Sequence, residues 1–185
     1  MARAGLSTEA VVAAAAGLAD REGLEAVSLA RLAADAGVRP PSLYAHVHGL
    51  DDVRRRLAIR GARELAAVLR VAATGRSGGD ALRAIALAHR EHARRHPGTY
   101  LAAQRAPAKD DDEARAAAAE AVDVMRAVLA GYGLEGDDAI HAVRAVRAAL
   151  HGFAMLESGG GFGIKLDLDE SFARLVDLLD RGLAG

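Results

Sequence analysis

Apolar residues recur every three or four positions along nearly the whole chain, and short clusters of glycine, proline and aspartate interrupt this pattern. Such spacing places the apolar side chains on one face of an α-helix. The composition agrees, because 45 of the 185 residues are alanine and 22 of the 24 basic residues are arginine, both good helix formers. Aromatic residues, which favour strands, make up only 3%. The pattern therefore predicts an all-α protein and disfavours all-β architectures and intrinsic disorder.

The composition also excludes several classes of site. Without cysteine the chain has no disulfide framework, thiol nucleophile or thiolate-ligated metal site. No apolar run reaches the roughly 18–20 residues of a membrane span. The N-terminus lacks the regions of a secretory signal, so we expect a cytoplasmic protein with no membrane partner. The net charge is +1 over residues 1–60 and −2 over residues 61–185, so any case for nucleic-acid binding must come from local placement.

About nine helices are predicted, in two groups. Three short ones cover residues 7–23, 28–37 and 40–47, and Pro40 and Pro41 suit only the first turn of the third. Six further helices are predicted over residues 51–73, 80–96, 98–105, 110–130, 137–156 and 169–183. We therefore expect an N-terminal three-helix bundle at 1–49 that binds DNA and a helical effector-binding and dimerisation domain at 50–185.

A helix, a tight Ala-Gly-Val turn and a second short helix follow one another over residues 24–50, which is the order of a helix-turn-helix. Leu43 and Val47 can be buried against the first helix. Outward-facing small residues, such as Ser42 and Ala45, let the backbone approach base edges in the major groove. The predicted DNA contacts are Ser28, Arg31, Arg39, Ser42, Tyr44, Ala45 and His46.

Some of these positions also have plain structural explanations. Tyr44 can be a half-buried packing residue, and His46 and its neighbour His48 can be solvated loop histidines. Arg3 can reach the minor groove as an N-terminal arm, but disorder is favoured because only six residues precede Ser7.

The stretch SLARLA at 28–33, followed by AGV at 36–38 and PSLYAHV at 41–47, resembles the N-terminal domain of TetR-type transcriptional regulators. The resemblance implies an all-α homodimer with a DNA-binding head and a ligand-binding, dimerising body. It also implies that the recognition-helix contacts fall at Ser42, Tyr44 and His46, and a phosphate contact at Ser28.

Two positions depart from the family's pattern. Val47 stands where a phenylalanine is usual, and Leu50 stands where the family has a lysine that approaches a phosphate. Arg54, Arg55 and Arg56 lie a turn further on and can supply a replacement charge.

The body carries a second resemblance. HPGTY at 96–100 and LHGF at 150–153, with Phe162 and Phe172, are similar to the TetR C-terminal subgroup named for a Trp-His-Gly signature. The chain has no tryptophan, so only the His-Gly part of that signature is present.

The predicted effector pocket lies among the helices at 80–96, 98–105 and 110–130. Its candidate contacts are His92, Tyr100, Met125, Arg147 and His151. Many alanines and few aromatic residues favour a fairly apolar ligand. Arg144, Arg147 and His151 form a polar stripe that lines a pocket or crosses a dimer interface, and both interpretations stay open.

The last two helices carry the clearest apolar stripes and are predicted to form the dimer interface. The residues assigned to it are Val143, Val146, Leu150, Gly152, Ala154, Phe172, Leu175 and Leu179. Gly152 would permit close approach of two helices.

No metal, cofactor or phosphate site is predicted. His89, His92 and His96 share one helical face, but no carboxylate motif completes a metal-ligand set. The acids at 110–113 are explained by the positive end of a helix dipole. The glycine run at 159–163 lacks the spacing of a phosphate-binding loop.

Together these features predict a sequence-specific DNA-binding transcriptional regulator of the repressor type, modulated on its operator by a small-molecule effector. The expected partners are palindromic double-stranded DNA, a second copy of the chain and the effector. Alternatives are a small helical metal-dependent hydrolase and a helical protein-interaction adaptor. Against catalysis, the chain lacks cysteine, H-E-x-x-H, G-x-S-x-G and a P-loop.

Overall fold

The structure is a computed structural model that describes residues 6–185. Arg3, the candidate N-terminal arm, lies outside the described residues. Within residues 6–185 the regular secondary structure consists of eight α-helices and two short 3₁₀-helices, without a strand, which confirms the all-α prediction. The α-helices are α1 (Thr8–Glu22), α2 (Leu29–Asp35), α3 (Leu50–Ala73), α4 (Gly78–Arg95), α5 (Pro97–Ala102), α6 (Asp112–Ala130), α7 (Gly136–Ser158) and α8 (Leu168–Ala184).

The 3₁₀-helices cover Leu24–Ala26 and Pro40–Ala45. Each of the nine predicted helices has a counterpart, and the turn at Leu24–Ala26 is the addition. The third predicted helix is a 3₁₀-helix that ends at Ala45, two residues before the predicted end. Helix α5 ends at Ala102, three residues before the predicted end at 105.

Side chains that cap the helices explain where several of them begin. The Ser7 hydroxyl accepts a hydrogen bond from Ala10 N at 3.2 Å, and the Ser28 hydroxyl accepts one from Arg31 N at 3.3 Å. Each satisfies a backbone donor that the first turn of a helix leaves without a partner. The sequence predicted helices that begin at residues 7 and 28, the positions of these two caps.

The chain divides into two compact units. One contains the described residues up to Arg63 together with Arg95–Ala118, and the other contains Glu64–Arg94 and Ala119–Gly185. Helices α3 and α6 therefore contribute to both units. The predicted domains, 1–49 and 50–185, are defined by where DNA and the effector bind. The two compact units do not test that assignment, so it stays a prediction.

In the first unit the core is formed by α1, α2, the Pro40–Ala45 segment and the start of α3, and α5 packs on α1. A Cβ atom on Gly98 would lie 2.2 Å from the carbonyl carbon and oxygen of Ala19, so the two backbones approach closely only because residue 98 is glycine. Thr99 N donates to the Asp20 carboxylate at 2.7 Å and fixes the start of α5 against α1.

In the second unit a half-buried arginine joins α4 to α7 and α8. The Arg90 guanidinium donates to Glu157 at 2.8 and 2.5 Å and to Asp169 at 2.8 Å. Its central carbon also lies 4.8 Å from the ring centroid of Phe172 and 5.4 Å from that of Phe153. Charge pairing and cation–π contact therefore act at the same point.

Among the helices of residues 6–185, none combines the length and the apolar character that a membrane crossing requires.

Candidate nucleic-acid interface

The helix-turn-helix consists of α2, a tight turn and the segment Pro40–Ala45, here called the recognition segment. Gly37 has a φ of 66°, in the left-handed region that glycine adopts without strain. Val38 N donates to Ala33 O at 2.9 Å and closes the turn. Leu43 and Val47 are buried in the core of the first unit, as the sequence predicted. The burial of these two side chains sets which residues of the segment face outward.

The outward side of the recognition segment carries Ser42, Tyr44 and Ala45, all exposed. The Tyr44 side chain is 58% exposed, which argues against the alternative that it is a packing residue. His46 is half-buried, while His48 is exposed. Small and hydrogen-bonding groups on this side would reach base edges and phosphates in a major groove.

Hydrogen bonds hold the chain just after the recognition segment. The Thr8 hydroxyl donates to His46 O at 2.8 Å, and this bond connects His46 to the start of α1. The Asp52 carboxylate accepts from His48 N at 3.0 Å, which ties the same stretch to the first turn of α3. Neither contact was foreseen, because a side-chain bond to the backbone leaves no periodic mark in a sequence, whether it spans 38 positions, as at Thr8, or four, as at Asp52. They restrict how the recognition segment can tilt.

The two predicted arginine contacts differ in their surroundings. Arg31 is exposed, but its guanidinium donates to Glu22 at 2.7 Å and to Asp35 at 3.4 Å. The bond to Glu22 is the main reason why the pKa of Arg31 is raised. Arg39 is exposed immediately before the recognition segment. Ser28 already accepts from Arg31 N, which leaves its hydroxyl hydrogen for a phosphate oxygen.

No DNA contact of these seven residues is tested by the structure of the chain alone, so the contacts stay predictions. The structure does place Arg31, Arg39, Ser42, Tyr44 and Ala45 at exposed positions of the helix-turn-helix. Ser28 and His46 are partly covered.

Arg54, Arg55 and Arg56 are not equivalent as replacements for the family's lysine. Arg55 donates to Asp111 at 2.5 and 2.6 Å and to Glu113 at 3.0 Å, which raises its pKa. Arg56 donates to Asp52 at 2.9 Å. Arg54 lies 3.9 Å from Glu25, whose side chain is 95% exposed. Of the three, Arg54 has the weakest intrachain ion pair and is the candidate for a phosphate contact.

A cavity of about 710 Å³ lies in the first unit, beside the helix-turn-helix. Its walls come from the turn at Leu24–Ala26, the first turns of α3, the end of α5, the following loop and the start of α6. The lining residues include Leu24, Glu25, His48, Asp51, Asp52, Arg54, Arg55, Ala58, Ile59, Ala62, Ala102, Ala103, Arg105, Ala106, Pro107, Ala108, Asp111, Ala114 and Ala118. Sequence reasoning did not predict this cavity, since its alanines carry no chemical signature and His48, Arg54 and Arg55 had been considered only in relation to DNA.

The five predicted effector contacts do not line this cavity. Tyr100 is fully buried in the first unit, and Met125 is buried in the second. His92 is buried on α4, whereas Arg147 is exposed and His151 half-buried on α7. A role for them in binding an effector stays a prediction.

In the second unit His92 and His151 act electrostatically on the deeply buried ring of His89. His89 is 1% exposed, and burial lowers its pKa to about 4. Positive potential from His151, His92 and Arg147 acts in the same direction. Burial also lowers the pKa of His151, with Arg147 as the second cause. At neutral pH the His89 ring is therefore kept uncharged, and the same causes favour the uncharged form of His151.

The three histidines at helical spacing have separate surroundings. His89 and His92 are buried, while His96 Nδ1 lies 3.1 Å from the Asp20 carboxylate. In the part of the chain that the structure describes, no three His, Cys, Asp or Glu side chains are grouped as a metal would need.

Most residues assigned to a dimer interface are covered within the chain itself. Val143, Val146, Leu150, Ala154 and Phe172 are all buried by intrachain packing, which explains the apolar stripes of α7 and α8. Gly152, Leu175 and Leu179 remain partly exposed, and Leu178 is 62% exposed. The interface stays a prediction, and of the residues assigned to it Gly152, Leu175 and Leu179 are left accessible to a second copy.

Comparison with known proteins gives matches over most of the chain. Residues 11–46 match the bacterial regulatory proteins of the tetR family, and residues 82–179 match a tetracyclin repressor-like C-terminal domain. The chain is similar to the uncharacterized HTH-type transcriptional regulator Rv0681 of Mycobacterium tuberculosis, with 39% identity over 96% of this chain and 82% of that protein. It is also similar to the uncharacterized HTH-type transcriptional regulator YobS of Bacillus subtilis, with 37% identity over 98% of this chain and 94% of that protein.

The fold agrees with that of a solved structure, the transcriptional regulator SCO7222, a TetR from Streptomyces coelicolor. The TM-score is 0.74 at 20% identity, covering 97% of this chain and 98% of that one. Both resemblances drawn from the sequence, to a TetR N-terminal and a TetR C-terminal domain, are confirmed. The chain belongs to the TetR family of helix-turn-helix transcriptional regulators.

Proposed function

We propose that this regulator is a dimeric repressor that binds a palindromic operator and changes its DNA affinity when a small molecule binds. The recognition segment is the observation that carries the proposal. Its buried residues anchor it, hydrogen bonds hold the chain that follows it, and Ser42, Tyr44 and Ala45 are exposed for contact with base edges.

Two copies of the segment are needed because a single short helix contacts too few base pairs for useful specificity. In a symmetric dimer the two segments enter successive major grooves about 34 Å apart. The partly exposed residues Gly152, Leu175, Leu178 and Leu179 on α7 and α8 support a helix–helix interface there. Burying such apolar side chains against a second copy stabilises association.

Effector control follows from the same arrangement. A ligand shifts DNA affinity only as far as it binds one conformation better than another. A cavity whose wall includes residues next to the recognition segment supports such coupling. Repression is the simplest outcome, because a dimer bound over a promoter excludes other proteins from it.

We further propose that the chain acts in the cytoplasm, where its DNA target lies, and that it has no catalytic role. Membership of a family of transcriptional regulators supports this over a metal-dependent hydrolase. The other alternative is an adaptor that uses its helix-turn-helix only for protein contacts. Specific binding to a duplex in the DNA-binding experiment would argue against this alternative, and the absence of binding would support it.

The test is fluorescence anisotropy with labelled duplexes that cover the DNA flanking the chain's own coding region. The wild-type protein is expected to bind one palindromic duplex in a salt-dependent manner. Ala45→Glu places a carboxylate against the phosphates and should weaken binding by about 100-fold or more. The control is Ala127→Glu, at an exposed position of α6, which should bind as the wild type does. Equal binding by both variants, or none by the wild type at low salt, contradicts the proposal.

A further inference from the structure

We propose that Arg39 determines part of the operator sequence by binding a guanine in the major groove. This inference rests on the proposed function, because it names one base that the helix-turn-helix recognises. Three features of the chain support it: Arg39 stands at the start of the recognition segment, it has no carboxylate partner among the described residues, and two prolines follow it.

Arg39 occupies the position that caps the N-terminal end of the recognition segment. Its backbone is extended, with φ −81° and ψ 147°, which is the conformation that a following proline favours. Its carbonyl oxygen accepts a hydrogen bond from Ser42 N at 2.9 Å, so the Arg39 backbone is held in a fixed position relative to the segment. In a helix-turn-helix the N-terminal residues of the second helix contact base edges. Arg39 therefore lies where a base contact is expected.

The Arg39 side chain is exposed and has no carboxylate partner among residues 6–185. The four other arginines over residues 24–56 each have a carboxylate within ion-pair distance: Arg31, Arg54, Arg55 and Arg56. A contact between one of those four and DNA has to replace an intrachain ion pair. Arg39 can donate to DNA without losing such a pair, which makes its whole guanidinium available to a base.

The two residues after Arg39 favour a base contact over a phosphate contact at this end of the segment. Free backbone N–H groups in the first turn of a helix commonly bind phosphate oxygens. Pro40 and Pro41 have no N–H group, and Ser42 N is already bonded to Arg39 O. The start of the recognition segment therefore offers DNA the Arg39 guanidinium and two apolar proline rings instead of backbone donors.

The chemistry of the guanidinium selects guanine among the four bases. Its planar donors match the O6 and N7 acceptors that guanine presents side by side in the major groove, and this pairing is the commonest specific contact between a side chain and DNA. Ser42 and Tyr44 each have a single hydroxyl donor, and Ala45 has none. Residues 40–53 contain no lysine or arginine. Arg39 is therefore the residue next to the recognition segment that can bind guanine at two points.

The charge of the N-terminal part of the chain makes one base contact important for affinity. Residues 1–60 have a net charge of +1. Contacts of lysine and arginine with phosphates supply most of the affinity that is independent of sequence, so a nearly neutral part binds random DNA weakly. Loss of a bidentate base contact is then expected to weaken operator binding by about tenfold or more.

The preferred bases are measured by selection with the full chain from a pool of duplexes that have a randomised central region. The wild type is expected to enrich a palindromic motif with a guanine at the same position of each half-site. Arg39→Gln should lose the preference for that guanine and keep the other positions of the motif, because glutamine pairs with adenine rather than guanine. Arg39→Ala is the second variant and should lose the same preference. The control is Arg126→Gln, at an exposed arginine of α6 in the second unit, which should select the wild-type motif.

A modified base tests which atom of the DNA is contacted. 7-Deazaguanine lacks the N7 acceptor but keeps the base pair and the phosphates, and it replaces the selected guanine in both half-sites. In anisotropy titrations the wild type should bind the modified duplex about tenfold or more weakly than the unmodified one. Arg39→Gln and Arg39→Ala should bind the two duplexes equally, because neither variant has the guanidinium that N7 would accept from.

An arginine that binds only a phosphate would give a different result. Both variants at position 39 would bind every duplex more weakly by the same factor, and the wild type would not distinguish 7-deazaguanine from guanine. That result overturns the assignment of guanine to Arg39 alone, as does a wild-type motif without guanine or a motif that both variants leave unchanged. If the wild type enriches no motif, the proposed function is wrong and the role of Arg39 fails with it.

Discussion

Gly98 lies where α5 comes closest to α1, and it shows how strongly one residue can depend on tertiary packing. We expect Gly98→Ala to lower the free energy of unfolding by about 1–3 kcal/mol, because its Cβ would meet the Ala19 backbone, which cannot move aside like a side chain. Urea unfolding measures the change. The control is Gly163→Ala, where nothing lies within 4 Å of the added atom. An equal loss in both variants would contradict this explanation.

His89 makes the stability of the second unit sensitive to acid. Its pKa is lowered to about 4 by burial, whereas an ordinary histidine titrates near 6.5. The unfolded chain therefore binds more protons than the folded chain between these values, and stability falls as the pH decreases from about 6.5 to 4.

The full effect of His89 amounts to about 3 kcal/mol. We expect His89→Asn to remove much of the difference in unfolding free energy between pH 7 and pH 4.5, measured with urea at each pH. If the variant and the wild type lose the same free energy on acidification, His89 is not the source.

The arginines at 54 and 55 are expected to have different roles. Arg54→Gln should reduce the salt dependence of operator binding, with the slope of log affinity against log salt falling by about 0.9, the value for one phosphate contact. Arg55→Gln should leave the slope unchanged, because its guanidinium is held by Asp111 and Glu113. Anisotropy titrations at several salt concentrations measure both slopes. The opposite ranking would contradict the interpretation.

At the scale of elements, the sequence identified the recognition segment but not its geometry. The two prolines predicted a helix start, since neither can donate a backbone hydrogen bond. The bonds from Ser42 N to Arg39 O and from His46 N to Leu43 O, each 2.9 Å, make the segment a tight 3₁₀-helix. In a 3₁₀-helix each backbone hydrogen bond spans three residues rather than four, so the side chains point in other directions than in an α-helix. The amino-acid composition does not indicate which of the two helix types forms.

The contact between α4 and the last two helices rests on Arg90, whose side chain is only 13% exposed. Arg90→Leu should lower the free energy of unfolding by about 2–4 kcal/mol, because Glu157 would stay half-buried without its partner. Arg174→Leu removes the exposed pair with Glu170 and should cost at most about 0.5 kcal/mol. Thermal unfolding separates the two cases, and a larger effect at Arg174 would contradict the ranking.

At the scale of the whole molecule, the proposed dimer gives a test that does not involve DNA. Leu178 on α8 is 62% exposed and lies beside the partly exposed Leu175 and Leu179. Leu178→Glu should shift sedimentation from a dimer to a monomer and weaken operator binding with it, because an interfacial carboxylate would lose its hydration. The control is Leu87→Glu, at a leucine of α4 that is 58% exposed, and this variant should remain dimeric. A dimer that persists with Leu178→Glu places the interface elsewhere.

The sequence by itself determined where the helices lie, the order of the helix-turn-helix and the burial of Leu43 and Val47. Each of these is indicated by residue types that recur at short spacing or follow one another in the chain, so the pattern of the sequence is enough to predict them. Only the tertiary structure decided that Arg55 pairs with Asp111, 56 positions away, and that alanines from three helices enclose a cavity. Residues far apart in the chain come into contact only through the packing of the helices. An alanine buried in a core and an alanine that lines a cavity cannot be told apart in the sequence.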